Sequence, residues 1–312
     1  MTRLFLAAAA SLCVIGGAAA QDTAAVAPRK QATAVRIQGR APELDGRLDD
    51  AAWAAAPAVS DFVQKEPTEG AAPSGRTEVR FLYDDHALYV GARMHSPDPS
   101  SIQAPVSRRD NGVQAEFIQL SLDTYHDRRT AYTFGVTAAG TRLDGYHPRD
   151  SQSSDPSFDP VWEAKAARDS AGWTAEMRIP LSQLRFSPGS SQTWGLNLNR
   201  WIPAGEEDVY WVVVPRSVQA WASRFGELSG IEGVRPARRV ELMPYAATGA
   251  SLRSGVDPAD PFHDDREATV RAGGDVKIGL GPNLTLDATV NPDFGQVDAD
   301  PAEVNLSAFE TF

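Results

Sequence analysis

Hydrophobic and polar residues alternate along most of the chain after residue 34, and this alternation predicts β-strands. Residues 77–83 place Val79, Phe81 and Tyr83 on one face, and an Asp-Asp-His turn leads into a second run at 87–94. Further strand-like runs cover residues 115–123, 130–137, 141–146, 162–168, 173–179, 193–201 and 208–214. Short strands separated by turn residues are typical of an all-β sandwich or barrel. Helical signals are limited to residues 48–55 and 181–184.

The alternation changes in character after a Gly-rich stretch at residues 226–236, which we interpret as a domain boundary. Residues 240–252, 276–280 and 284–290 each place their apolar side chains on one face. Strands of about ten residues with one apolar face are typical of transmembrane β-barrels, and a second soluble sheet has the same pattern. Three or four strands cannot close a barrel, which needs about eight. The pattern therefore predicts either the start of a longer barrel near residue 238, cut short at residue 312, or a small sheet.

The N-terminus has the pattern of a secretory signal peptide. Arg3 precedes an apolar run over residues 4–17, and three alanines at 18–20 form a small-residue cleavage site. The apolar run is shorter than the roughly 20 residues that span a bilayer. We therefore predict a cleaved signal peptide at residues 1–20, a flexible leader at 21–33, and a chain that leaves the cytoplasm.

Composition and motifs disfavour several classes of function. Cys13 is the only cysteine and lies in the predicted signal peptide, so the mature chain would have no disulfide and no thiol nucleophile. The net charge of −11 disfavours nucleic acid as a partner. No G-x-S-x-G, H-E-x-x-H or P-loop motif is present. A carboxylate pair for glycoside cleavage stays open, because any two of the 41 acidic residues could meet in the fold.

Acidic residues crowd the middle of the chain, between residues 110 and 159. Ca²⁺ prefers oxygen ligands and is plentiful outside the cytoplasm. Asp123, Asp127 and Asp144 are our candidate ligands for a structural calcium ion. The alternative is that these carboxylates are solvated or form Asx turns.

Three segments of the chain resemble a family 9 carbohydrate-binding module. They are PELDGRLDDAAW at residues 42–53, FLYDDHALYVGARMHSPDP at 81–99 and GWTAEMRIPLSQLRF at 172–186. The resemblance spans residues 35–232. It implies an antiparallel, jelly-roll-like β-sandwich over residues 34–233 that binds a glycan or oligosaccharide. It also implies structural calcium.

Residues 291–312 (NPDFGQVDADPAEVNLSAFETF) resemble the start of an uncharacterised domain that follows such modules in Gram-negative bacteria. That domain looks like an outer-membrane β-barrel. The resemblance therefore implies that residues 238–312 begin a barrel and that the protein reaches the periplasm or outer membrane.

Sugar binding needs flat aromatic faces beside groups that bond to hydroxyls. Modules of the resembled family hold the sugar between two tryptophans, and Trp221 matches one of them. The loop at residues 109–113 (RDNGV) takes the place of the other and has no aromatic residue. Trp53, Trp162, Trp173 and Trp194 lie within or beside alternating runs, which indicates core positions. The candidate carbohydrate-binding residues are Trp221, Trp201, Tyr125, Arg109, Asp110 and Glu116.

These observations favour an exported glycan-binding protein that is tethered to the outer membrane and serves polysaccharide catabolism. Two other hypotheses remain open. The chain could contribute to hydrolysis of O-glycosyl compounds. It could also be a plug or assembly module of the barrel that binds no sugar.

Overall fold

The computed structural model describes residues 28–111, 114–155, 158–236, 240–252, 266–279 and 284–292. The predicted signal peptide, most of the 21–33 leader, and residues 293–312 lie outside these ranges. The strands are β1 (Gln31–Arg36), β2 (Val63–Glu66), β3 (Thr77–Tyr83), β4 (Ala87–His95), β5 (Phe117–Asp123), β6 (Ala131–Thr137), β7 (Arg142–His147), β8 (Glu163–Asp169), β9 (Gly172–Pro180), β10 (Ser191–Ile202), β11 (Glu207–Tyr210), β12 (Gly226–Glu232), β13 (Val240–Leu252), β14 (Arg266–Gly279) and β15 (Thr285–Val290). In these ranges, no helix has the length and apolar character to cross a membrane.

The first twelve strands form a β-sandwich, which confirms the predicted fold class. The first sheet has the order β7-β6-β5-β10-β12, and β11 and β2 continue it beside the second half of β10. The second sheet has the order β3-β4-β9-β8. Apolar side chains of both sheets meet between them, and Trp162, Trp173 and Trp194 are among the largest fully buried ones. The prediction that these tryptophans are core residues is confirmed.

Strand β1 connects the two sheets and corrects two predictions. Its first half, Gln31 to Thr33, pairs with β12, and its second half, Ala34 to Arg36, pairs with β3. Both pairings are parallel, so the sandwich is not purely antiparallel. Residues 31–33 therefore belong to a strand, not to a flexible leader, and Ala32 is buried between the sheets.

Two glycines in β12 explain why the sequence pattern misses this pairing. A Cβ atom on Gly226 would lie 2.7 Å from the carbonyl oxygen of Lys30, and one on Gly230 would lie 2.5 Å from that of Ala34. Both glycines let the β1 backbone approach closely. Glycines that indicate a turn-rich boundary in the sequence thus lie within a paired strand.

Strands β13, β14 and β15 form a separate antiparallel sheet. Leu242 lies opposite Val276, which lies opposite Ala288, so these side chains share one face. That face exposes Val240, Leu242, Leu252, Val270, Leu286 and Val290. Gln183 Nε2 donates a hydrogen bond to Glu241 Oε1 over 2.9 Å, which joins this sheet to the sandwich. The predicted strands are confirmed, and their closure into a barrel stays a prediction.

Candidate functional site

An aromatic pair lies on the outer face of the first sheet. The side chain of Arg200 is buried between the sheets, so its neighbour Trp201 points to the opposite, outer face. Trp201 on β10 is paired in register with Phe117 on β5. Directly opposite residues share a face with Cβ atoms about 5 Å apart. Both rings are half-buried, so part of each remains accessible from solvent.

Polar side chains follow this pair along the same face. Asn199 lies two residues before Trp201, and its Nδ2 donates a hydrogen bond to Asp208 Oδ1 over 2.6 Å. Gln119 lies opposite Asn199 in the register. Burial raises the pKa of Asp208, and the bond from Asn199 and the charge of Lys65 oppose that rise in part. Asn199 itself is buried, so the groups that this face presents beside the two aromatic rings are the Asp208 carboxylate and the Gln119 amide.

A cleft of about 360 Å³ lies beside these strands. Its polar lining residues are Lys65, Asp150, Ser151, Gln152, Arg216 and Gln219. The Lys65 ammonium lies 5.4 Å from the centre of the Tyr210 ring. Lys65 lies next to Glu66, which is paired in register with Asp208, so the cleft and the aromatic face are on neighbouring strands. We call the surface formed by Phe117, Trp201, Asn199, Asp208 and this cleft the sheet groove.

Trp221 supports the groove from beneath. Only 4% of the residue is exposed, and its ring packs edge-on against Tyr210 at 5.9 Å and Phe225 at 5.3 Å. Its backbone N–H donates to Asp150 Oδ1 over 2.7 Å. Asp150 lines the cleft. The structure thus contradicts the prediction that Trp221 offers a stacking face, because a small apolar cluster of Ala131 and residues between 210 and 225 covers the ring.

Glu116 is a core residue and not a sugar ligand. Its Oε1 accepts hydrogen bonds from Arg200 Nη2 at 2.6 Å and from Trp173 Nε1 at 2.8 Å, and only 2% of the residue is exposed. Arg200 also donates to the backbone carbonyls of residues 75 and 76, which directly precede β3, and of residue 95 in β4. The pair therefore joins the two sheets, which corrects the prediction for Glu116.

Arg109 and Asp110 are engaged in contacts between a loop and the edge strand β7. Arg109 Nη2 donates to Asp144 Oδ1 over 2.6 Å and to the Pro160 carbonyl over 2.7 Å. Asp110 Oδ1 accepts from the Asp144 backbone N–H over 2.8 Å. These bonds occupy the groups that were predicted to contact sugar. Gly112 and Val113 of the same loop lie outside the described residues.

Tyr125 does not belong to the same site as Trp201. Trp201 pairs with Phe117 at the start of β5, whereas Tyr125 lies two residues beyond Asp123, the last residue of that strand. The two ends of β5 are six residues apart, which corresponds to about 20 Å along the strand. Burial raises the pKa of the half-buried Tyr125. The structure separates two residues that the sequence analysis grouped.

The candidate calcium ligands do not form one cluster. Across the sheet, Asp144 on β7 is in line with Phe134 on β6 and with Leu120 on β5. Asp144 is therefore two strands away from Asp123 and is also displaced from it by three residues along the strand direction. Asp123 accepts the backbone N–H groups of residues 127 and 128, and Asp127 accepts those of residues 129 and 130. Nowhere in the described ranges do three or more His, Cys, Asp or Glu side chains meet in a metal-binding arrangement. The predicted ligand set is therefore wrong, because local backbone donors occupy two of its carboxylates.

Several groove residues were missed by the sequence analysis. Phe117 could have been predicted, because its position in the alternation places an aromatic side chain on the face opposite to the buried Ile118 and Leu120. No sequence pattern indicates Gln152, Arg216 and Gln219, because they lie in loops that only the fold brings together.

Comparisons with known proteins agree with this architecture. A family model described as "Carbohydrate family 9 binding domain-like" matches residues 44–208, and one described as "Domain of unknown function (DUF5916)" matches residues 236–312. No curated protein matches the chain.

Solved structures resemble the sandwich at low sequence identity. A protein from Bacteroides uniformis whose description proposes carbohydrate binding is 12% identical, with a TM-score of 0.52 over 65% of this chain and 99% of that one. A family 9 carbohydrate-binding module from Caldicellulosiruptor kristjanssonii in complex with cellotriose is 18% identical, with a TM-score of 0.47 over 65% of this chain and 95% of that one. The Bacteroides structure shows that the sandwich fold is shared.

Proposed function

The chain belongs to the carbohydrate family 9 binding domain-like family, whose model matches just over half of it, and we propose that it binds a glycan in the sheet groove. The observation that carries this proposal is the aromatic pair Trp201–Phe117 beside a polar-lined cleft. Aromatic faces pack on the apolar side of a pyranose ring, and amides, carboxylates and ammonium groups bond to its hydroxyls. The groove supplies both kinds of contact.

The test is calorimetric titration of the chain with cellotriose and with a panel of other neutral oligosaccharides. Replacing Trp201 by Ala should weaken binding about 5- to 30-fold, because a stacked ring contributes on the order of 1–2 kcal/mol. Tyr125→Ala is the matched control, since it removes an aromatic ring at the other end of β5 and should leave the affinity unchanged. Equal affinities of wild type and Trp201→Ala, or no binding by either, would contradict the proposal.

The same samples address the alternative of hydrolysis. Incubation with nitrophenyl glycosides measures turnover directly, and turnover that is lost on replacing a single groove carboxylate would favour the enzyme hypothesis. The plug hypothesis instead expects no saccharide binding at all.

We further propose that the chain is exported and that the β13–β15 sheet associates with the outer membrane. The exposed apolar face of this sheet supports the proposal, since water does not favour so many neighbouring apolar side chains. Flotation of the chain with lipid vesicles, compared with a Leu242→Asp and Leu286→Asp double variant, measures this association. Equal flotation of both proteins would argue against it.

A further inference from the structure

The sheet groove contains a row of side chains that crosses four strands. Phe117 on β5 lies opposite Trp201 on β10. Trp201 in turn lies opposite Asp208 on β11, and Asp208 lies opposite Glu66 on β2. Directly opposite residues share one face of a sheet, and all four residues are half-buried, so each keeps part of its surface in contact with solvent. We call these four residues the cross-strand row.

The row is closed at one end and open at the other. Thr137 on β6 lies opposite Phe117 and is completely buried, so the accessible part of the row stops at the Phe117 ring. At the other end, Glu66 accepts a hydrogen bond from Arg216, and the two side chains are 40% and 54% exposed. Arg216 also lines the cleft of the sheet groove. A ligand that lies on the aromatic pair therefore has room to extend toward β2 and the cleft.

The spacing of the row matches the repeat of a linear sugar chain. Neighbouring strands are about 4.8 Å apart, so the four strands span about 14 Å. One pyranose unit of an extended chain is about as long as one step between strands, so about three or four consecutive units fit along the row. Linkages that are equatorial on both rings keep consecutive units in a line, whereas α-1,4 linkages make the chain curve. The row therefore fits an extended chain.

The chemistry of the row changes along its length. The aromatic rings at the closed end pack on the apolar faces of sugars, and the charged groups toward β2 bond to hydroxyls. The row and the cleft together hold two basic residues, Lys65 and Arg216, and three acidic residues, Asp208, Glu66 and Asp150. Because acidic residues outnumber basic ones, an acidic sugar gains no net attraction. This balance favours a neutral chain.

We propose that a linear, neutral oligosaccharide of about three or four units lies across the strands, with one unit on the Trp201–Phe117 pair and an outer unit bonded to the Glu66–Arg216 pair. This inference rests on the proposed function and deepens it, because it gives the bound glycan a length and a direction. Arg216 then distinguishes long chains from short ones, since a disaccharide on the aromatic pair does not reach β2.

The test is calorimetric titration of the chain with cello-oligosaccharides of one to five units and with malto-oligosaccharides of the same lengths. We expect the affinity for the cello series to rise up to about three or four units and then to stay constant. The malto series should bind more weakly, because its curved chain leaves the row. Arg216→Ala should weaken binding of cellotetraose about fivefold, as expected for the loss of a hydrogen bond from an exposed charged group. It should leave binding of cellobiose unchanged.

Arg40→Ala is the matched control, because Arg40 is also an exposed arginine that pairs with a glutamate, Glu43, at 3.5 Å, but lies outside the groove. It should leave the affinities for cellobiose and cellotetraose unchanged. Thermal unfolding of both variants checks that they fold. Trp201→Ala, in contrast, should weaken binding of every chain length.

Four results would overturn the proposal while the sheet groove stands, because saccharides still bind in each of them. The affinity does not depend on chain length, the malto series binds as tightly as the cello series, Arg216→Ala leaves cellotetraose unaffected, or Arg216→Ala weakens cellobiose and cellotetraose equally. If no saccharide of either series or of the wider panel binds, the sheet groove itself is wrong, and the proposed orientation of the chain is wrong with it.

Discussion

At the scale of single residues, the charged pair Glu116–Arg200 has the clearest energetic consequence. Both side chains are almost fully buried and are 2.6 Å apart. Replacing Glu116 by Gln leaves the Arg200 charge uncompensated, so we expect the free energy of unfolding to fall by about 3–5 kcal/mol. Urea denaturation measures this change. Glu163→Gln is the control: it breaks the exposed pair with Arg178 and should lower the free energy of unfolding by no more than about 1 kcal/mol. Similar losses for the two variants would contradict a role for Glu116 in joining the sheets.

His147 makes stability depend on pH. Its ring is within 2.9 Å of Thr133 Oγ1, and burial lowers the pKa of the imidazole. Protonation is therefore easier in the unfolded chain, and the folded state loses stability as the pH falls from about 6.5, the usual histidine value, through the lowered pKa.

Urea denaturation between pH 7 and pH 5 measures the effect of His147. We expect His147→Gln to be less stable than wild type at pH 7, and we expect this difference to shrink as the pH falls, because the variant does not bear the cost of protonation. Parallel pH profiles for the two proteins would show that the buried imidazole does not titrate in this range.

The misplaced site residues show where sequence information ends. Alternation predicts that residue 116 belongs to a half-buried region, but its partner Arg200 lies 84 residues away. Trp221 is covered by a cluster that includes Tyr210 of β11 and Ala131 of β6. Whether a polar or aromatic side chain binds a ligand or packs within the fold depends on such contacts, and a pattern along the chain does not contain them.

At the scale of elements, the close approach of β1 and β12 depends on Gly230. This residue has a φ of +85°, and a Cβ atom would lie 2.5 Å from the Ala34 carbonyl oxygen. Gly230→Ala should therefore lower the free energy of unfolding by about 2–4 kcal/mol, as a sum of backbone strain and displacement of β1.

Gly39→Ala is the matched control for this steric effect. Gly39 also has a positive φ, of +101°, but no atom lies within 4 Å of its Cβ position. The Gly39→Ala substitution should lower the free energy of unfolding only by the backbone strain, which is roughly 1–2 kcal/mol. Equal losses for the two variants, measured by urea denaturation, would show that the contact with β1 contributes nothing.

Most strand positions could be predicted because each depends on local alternation. Strand β3 has the predicted bounds, and β4, β6 and β9 differ from their predicted ranges by one residue at one or both ends. Strands β1 and β2 were missed, because β1 is short and rich in alanine and its place depends on a partner at the other end of the sandwich.

At the scale of the whole molecule, the two outer faces of the sandwich differ in chemistry. The first sheet presents aromatic and polar groups in the sheet groove, and the second presents arginines and carboxylates beside residues 47–49. The inner faces are apolar, so the two surfaces communicate only through a packed core.

The bridging position of β1 also has a consequence for the order of folding. Gln31 bonds to Glu227, and the two residues are separated by 196 positions in the chain. During synthesis β1 emerges among the first structured segments, but β12, the strand that completes its first half, emerges near the end of the sandwich. Contacts of such long range close slowly, and until then the first half of β1 remains unpaired and open to mispairing. A cell that makes this protein therefore needs to protect its first strand until its twelfth arrives.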